Sequence, residues 1–236
     1  MHPHQYVLKR AQRGQPLSLL ALFAVVSIFV LLFLSTSSKL FSSTPAPRTA
    51  AAAAAVDDDD ASTAARADGS FLYFAYASDL LESRLKAGGG KSAVKVGVGR
   101  VKKRKFAFSQ ESRVWRGGVA DVVPSASSKD EVWGVVYRLA KDDLPSLDKQ
   151  KGVDKADPLY ERIAVVVEME DGGQAMEAIT YSIVESKRLP FGAAPSPQYK
   201  DCLVRGAIEV GLPERYVESI QRVKDNGSTY KRKNVC

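Results

Sequence analysis

Histidine is nearly absent. Of 236 residues, only His2 and His4 carry an imidazole, and both precede the first long apolar run. The rest of the chain therefore has no Ser-His or Cys-His pair, which excludes catalysis by a nucleophile with an imidazole base there. Cysteine is as scarce: Cys202 and Cys236 are the only two, with no CxxC or Cys/His spacing, which argues against a zinc site and leaves no metal ligand set to name. They allow one disulfide, but Cys236 stands at the end of a polar tail and reads as mobile, so the redox compartment stays open. Also missing are a phosphate-binding loop, a dinucleotide fingerprint and a nucleophile elbow. No self-similar period indicates a repeat.

The composition, 45% hydrophobic and 26% charged, is that of an ordinary globular protein. A net charge of +7 raises the question of nucleic acid. The basic residues are dispersed, apart from Lys102-Lys103-Arg104-Lys105 and Lys231-Arg232-Lys233. The first cluster has no aromatics spaced to stack on bases and the second lies in a tail, so both read as solvated charge and no nucleic-acid partner is expected.

Leu17 to Leu34 is uncharged and apolar except for Ser18 and Ser27, near the length that crosses a bilayer. Lys9, Arg10 and Arg13 precede it, while Lys39 and Arg48 follow, so the positive-inside bias puts residues 1–16 in the cytoplasm. Residues 17–38 are expected to form a single type II signal anchor, longer than the apolar part of most cleaved signal peptides. Residues 39–69 are rich in Ala, Ser and Asp, lack aromatics beyond Phe41, and read as a disordered stalk. Asp57 to Asp60 within it read as solvated charge.

A folded region is expected over 70–224, with a basic polar tail at 225–236. Phe71 to Tyr76 is strand-like, and Ser78 or Asp79 is placed to cap a helix over Leu80 to Lys86. Strands are expected at 93–98, 104–109, 118–123 and 132–138, then a brief helix over Asp142 to Gln150 ended by Gly152. Strands at 162–169 and 175–183 share the Asp171-Gly172-Gly173 turn. Tyr199, Cys202, Leu203, Ala207 and Val210 recur at helical spacing; Gly211 ends that helix and Pro213 opens another. Short strands interrupted by helices argue an α+β fold with a small curled sheet or barrel. Trp115 and Trp133 read as core.

Four segments carry a resemblance. Phe74-Ala75-Tyr76-Ala77-Ser78-Asp79-Leu80-Leu81, followed by Arg84, resembles the FAYGSNLL signature of the γ-glutamylcyclotransferases. Asp130 to Tyr137 reads DEVWGVVY, as the family's strand does, and Ser146 to Val153 is similar to its SLDxQEGV segment. Ala194 to Tyr199, with Arg205-Gly206-Ala207 and Gly211-Leu212-Pro213, resembles its PSPQY helix and GLP break. Together the segments span about 70–223, and their order implies the family's barrel with flanking helices.

The resemblance implies cyclisation of a small-molecule γ-glutamyl amino acid or amine, releasing 5-oxoproline and the free amine without a cofactor. Because the substrate's own α-amine attacks its γ-carbonyl, proximity supplies much of the rate. An acid/base and oxyanion donors supply the remainder. Carried over by position, the binding loop is Tyr76, Ala77, Ser78, Asp79 and Leu80, with Tyr160 and Tyr199 as candidate cavity tyrosines. The acid/base position is Lys151, where the family has glutamate. Two loop residues also depart: Ala77 stands for glycine and Asp79 for asparagine. A residue at 77 with positive φ would be strained as alanine. An ammonium at 151 has no lone pair to take a proton, although it suits a carboxylate. Asp148, Asp154, Asp157 and Glu161 are nearby acids, none at the matching position.

These departures support a second reading, a catalytically impaired or non-catalytic member that keeps the fold as a ligand-binding or interaction module. Asn226-Gly227-Ser228 is a glycosylation sequon in the tail, consistent with a lumenal or extracellular domain. Whether the chain forms a homo-oligomer is left open by the sequence.

Overall fold

The computed structural model describes residues 66, 68–230 and 236. The expected cytoplasmic segment, anchor and most of the stalk lie outside the described residues. Among the described residues, no helix is long and apolar enough to cross a membrane.

Among the described residues, seven strands follow in chain order: β1 Ser70–Ala75, β2 Val94–Lys102, β3 Arg104–Ser112, β4 Gly117–Pro124, β5 Glu131–Ala140, β6 Tyr160–Met169 and β7 Met176–Ile183. Five close into a barrel in the order β1-β5-β2-β6-β7, and β3 and β4 form a separate two-stranded sheet. The barrel closes where β1 runs parallel to β7, with Tyr73 opposite Ile179. All six residues of β1 are buried, which is why it reads as a continuous apolar run rather than an alternating one. At Gly134 of β5, a Cβ would meet the Ala75 carbonyl oxygen at 2.4 Å and the Phe74 ring at 2.7 Å, so the β1–β5 approach requires glycine.

The helices are α1 Glu82–Ala87, α2 Leu144–Lys151, α3 Pro197–Val210 and α4 Glu214–Gln221. Helix α2 ends at Gly152, whose φ of 73° supplies the left-handed cap and leaves Lys151 on the final turn. Helix α3 starts as its sequence implies: the Ser196 hydroxyl accepts from the Tyr199 N–H, with Pro197 in the first turn.

One expected element is built differently. In place of a single helix over Leu80 to Lys86, a short 3-10 turn covers Ser78–Leu80, and Leu81 is extended before α1 begins. Leu80 and Leu81 are both buried, so core packing decides the break. Neither Ser78 nor Asp79 caps a helix: the turn's preceding residue is Ala77, and no side-chain cap is made. Leu80, Leu85, Leu147 and Leu203 join the aromatic residues of β1 and β5 in one core. Each fully buried leucine contributes about 1.5–3 kcal/mol of transfer free energy.

Cys202 of α3 and Cys236 are joined by a disulfide, so the end of the tail is covalently held rather than free. Within the tail, Asp225 pairs with Lys200 at 2.6 Å, and the Asn226 N–H donates to the Pro195 carbonyl at 2.9 Å.

Candidate active site

A cavity of about 460 Å³ opens beyond the end of β1. Its walls come from the Tyr76–Ser78 loop, the end of α2 with Gln150 and Lys151, Val119 and Ala120 of β4, and the connection of β3 to β4 at Ser112, Val114 and Trp115. Tyr73 of β1, Arg84 of α1, Leu159, Tyr160 of β6, Tyr181 of β7 and Tyr199 of α3 complete it. The structure thus brings Tyr76, Ala77, Ser78, Lys151, Tyr160 and Tyr199 together around one space.

Two residues of the expected loop stand behind that wall. Leu80 is fully buried, packs against Gly206 of α3, and its N–H is taken by the Ala77 carbonyl at 3.0 Å. Its role is to anchor the turn rather than to face the cavity. Asp79 is 1% exposed and is the more consequential case. Its Oδ2 accepts from Lys151 Nζ at 2.6 Å and from the Tyr73 hydroxyl at 2.8 Å. The other carboxylate oxygen, Oδ1, is buried without a hydrogen-bond partner among the described residues. The Lys151 side chain is 17% exposed and spans from this carboxylate to the cavity.

Burial pushes the Asp79 carboxyl up, but the Lys151 ammonium, the hydrogen bonds from Lys151 and Tyr73, and Arg84 outweigh it and hold the group below its ordinary value. Burial and the neighbouring Asp79 charge raise Tyr73 well above the ordinary tyrosine value, so its hydroxyl remains a donor. Burial likewise raises Tyr76, Tyr160, Tyr181 and Tyr199, which leaves the tyrosines of the cavity neutral at physiological pH.

Ala77 has φ −117°, so its backbone needs no glycine and carries no left-handed strain. The other nearby acids are engaged elsewhere. Asp148 accepts from the Tyr181 hydroxyl at 2.7 Å and from Arg162 at 2.8 Å, fixing the Tyr181 ring above which Lys151 Nζ lies at 5.7 Å. Asp157 pairs with Lys187, and Asp154 and Glu161 are exposed. Tyr76 braces the barrel by donating to the Tyr181 carbonyl at 2.7 Å, and the Tyr199 hydroxyl accepts from the Ala120 N–H at 3.2 Å.

Several wall residues escape the sequence reading. Trp115, expected in the core, instead lines the cavity, 4.7 Å from the Tyr199 ring and beneath Arg84 at 5.0 Å. Tyr181 carries no local sequence signal, since alternation in β7 marks it only as inward-facing. The tail asparagine, Asn226, is exposed, and its amide donates to the Arg116 carbonyl at 2.7 Å.

A model of the AIG2-like family matches residues 131–220. The γ-glutamylcyclotransferase of Bos taurus is 38% identical over 161 residues, spanning 66% of this chain and 80% of the relative. That of Homo sapiens is 37% identical over 166 residues, spanning 69% and 83%. A solved γ-glutamyl cyclotransferase structure superposes with a TM-score of 0.64 at 36% identity, over 70% of this chain and 95% of the other. The chain belongs to the γ-glutamylcyclotransferase family.

Proposed function

We propose that the domain cyclises γ-glutamyl amino acids or amines, releasing 5-oxoproline and the free amine, in the cavity beside Lys151. The observation that carries this reading is the convergence of Lys151 and the Ala77–Ser78 turn on one cavity in a chain of this family. The first N–H groups of a helical turn have no intrahelical partner, and the residue before this turn, Ala77, has no side chain that could cap them. They suit a substrate carboxylate or the oxyanion formed when the α-amine attacks the γ-carbonyl. Neutral tyrosines and Trp115 form walls against which the glutamyl chain folds back on itself. Lys151 occupies the position at which the family resemblance places glutamate, and its charge is matched by Asp79, so the pair does not repel an incoming α-ammonium as a lone lysine would. The test is direct. The full chain, purified in detergent, is incubated with γ-glutamyl-alanine and assayed for 5-oxoproline; no product at high enzyme concentration contradicts the proposal and favours the non-catalytic reading.

Residues 17–38 anchor the protein in a membrane in the same proposal, with the folded domain on the lumenal or exofacial side. The apolar run, the basic residues before it, the Asn226 sequon and the Cys202–Cys236 disulfide all agree with that side, since disulfides persist in oxidising compartments. Resistance to alkaline extraction and a mobility shift on glycosidase treatment, lost in Asn226→Gln, test it. Extraction into the soluble fraction contradicts it.

A further inference from the structure

We infer that Asp79 and Lys151 act as one proton relay, in which Lys151 touches the substrate and Asp79 stores the proton behind it. The inference rests on the cyclisation proposed above and assigns its acid/base function to two residues 72 positions apart in sequence. Three geometric facts carry it. Lys151 Nζ and Asp79 Oδ2 are 2.6 Å apart, within reach for direct proton transfer. Lys151 reaches the cavity whereas Asp79 is 1% exposed, so the lysine offers the carboxylate a proton path to the cavity. Asp79 Oδ1 is buried without a partner among the described residues. The hydrogen bonds of the carboxylate therefore run through Oδ2, the atom in contact with Lys151 Nζ and the one that takes the transferred proton.

The chemistry balances without any further reagent. Lys151 passes a proton to Asp79 and takes one from the substrate α-ammonium, leaving a neutral amine. That amine attacks the γ-carbonyl carbon to form a ring C–N bond. The ring nitrogen then loses its second proton and the bond to the leaving amine breaks. Two protons depart from the α-nitrogen and two arrive on the leaving nitrogen, each crossing Lys151 Nζ singly, and the pair ends as it began. A single carboxylate at position 151 would do the same work in one step, whereas here the carboxylate stands one contact further back.

The charged and titratable groups around Asp79 are Lys151 from α2, Arg84 from α1 and Tyr73 from β1, with Tyr76 after β1 and Tyr137, Tyr160, Tyr181 and Tyr199 on β5, β6, β7 and α3 farther off. Lys151 and Tyr73 both contact Asp79 and line the cavity; burial and the Asp79 charge keep the Tyr73 hydroxyl protonated, which leaves Lys151 as the group that exchanges protons with substrate.

The test measures 5-oxoproline release by the full chain and four variants, with folding monitored by thermal unfolding. Asp79→Asn and Lys151→Met each remove one half of the relay and are expected to lower kcat about 10²–10⁴-fold. Asp79→Glu keeps the carboxyl and is expected to restore at least tenfold over Asp79→Asn. The double variant Asp79→Asn with Lys151→Glu places a carboxylate at the cavity and is expected to recover activity with its acidic pH limb displaced upward. Should Asp79→Asn fail to fold, Lys151→Met and the double variant decide the matter. Wild-type kcat in either folded single variant, or an unmoved pH profile in an active double variant, overturns the relay while leaving the cyclisation intact. An inactive wild type overturns both.

Discussion

Arg84 stacks its guanidinium 5.0 Å from the centre of the Trp115 ring, and both residues line the cavity. The contact ties the connection of β3 to β4 to α1, and the Tyr199 ring packs against the tryptophan at 4.7 Å. A cation over an indole face is worth about 0.5–2 kcal/mol. Trp115→Ala is expected to raise KM for γ-glutamyl-alanine roughly 5–30-fold with little change in kcat, because the wall binds substrate and transition state alike. Steady-state kinetics on the variant checks this, and an unchanged KM refutes the assignment of Trp115 to the wall.

Asp121 holds the two sheets together. Its side chain is fully buried and accepts from the Ser182 hydroxyl at 2.9 Å, the Ile183 N–H at 2.9 Å and Arg188 at 2.8 Å. Removing one partner of a buried pair costs about 3–5 kcal/mol. Asp121→Ala is therefore expected to lower Tm by about 6–20 °C, given about 2–4 °C per kcal/mol for a domain of this size. Calorimetry measures it, and a shift below a few degrees counts against the latch.

Acid stability follows from Asp79. Its folded-state value lies below the ordinary one, so it contributes stability that is present above the unfolded value of about 3.9 and is lost as pH falls through the folded value. Wild type is expected to lose stability as pH drops below about 4, and Asp79→Asn to be less stable at neutral pH but flatter across that acid range. Urea unfolding at a series of pH values checks the slope. Parallel curves for the two proteins would contradict the charge state given to Asp79.

The disulfide closes a segment of 34 residues between α3 and the end of the tail. Cross-linking a loop of that length restricts the unfolded chain by about 3–4 kcal/mol. Cys236→Ser, or mild reduction, is expected to lower Tm by about 6–15 °C without abolishing folding, since the core of the barrel does not involve Cys236. Thermal unfolding with and without reductant measures the effect, and an unmoved Tm argues that the tail is not held in solution.

Local signals were legible where local chemistry decides the structure. The Asp171-Gly172-Gly173 turn, the Ser196-Pro197 start of α3, Gly152 and the Gly211-Leu212-Pro213 break all stand where turn and cap rules put them. The strand order was not legible, because β5 inserts between β1 and β2 and the closing β1–β7 contact is parallel, pairings that no short-range pattern encodes. The same division holds at the site. Motif resemblance drew attention to Tyr76, Ala77, Ser78, Lys151, Tyr160 and Tyr199, which share one cavity. It treated Ala77, Asp79 and Lys151 as separate departures, although Asp79 and Lys151 are a single compensated pair. Charge compensation is a property of three-dimensional contact, and here it joins the turn after β1 to the last residue of α2. Trp115 was misplaced for a related reason: a tryptophan in a short connection packs like core, yet one of its sides faces open space.

The most direct measurement follows both products of γ-glutamyl-alanine turnover by NMR with the full wild-type chain. Intramolecular cyclisation predicts 5-oxoproline and alanine in equal amounts, with no glutamate. Glutamate and alanine would mean that water rather than the α-amine attacks, and an unchanged substrate spectrum would mean that the Asp79–Lys151 pair does not support turnover; either result contradicts the account.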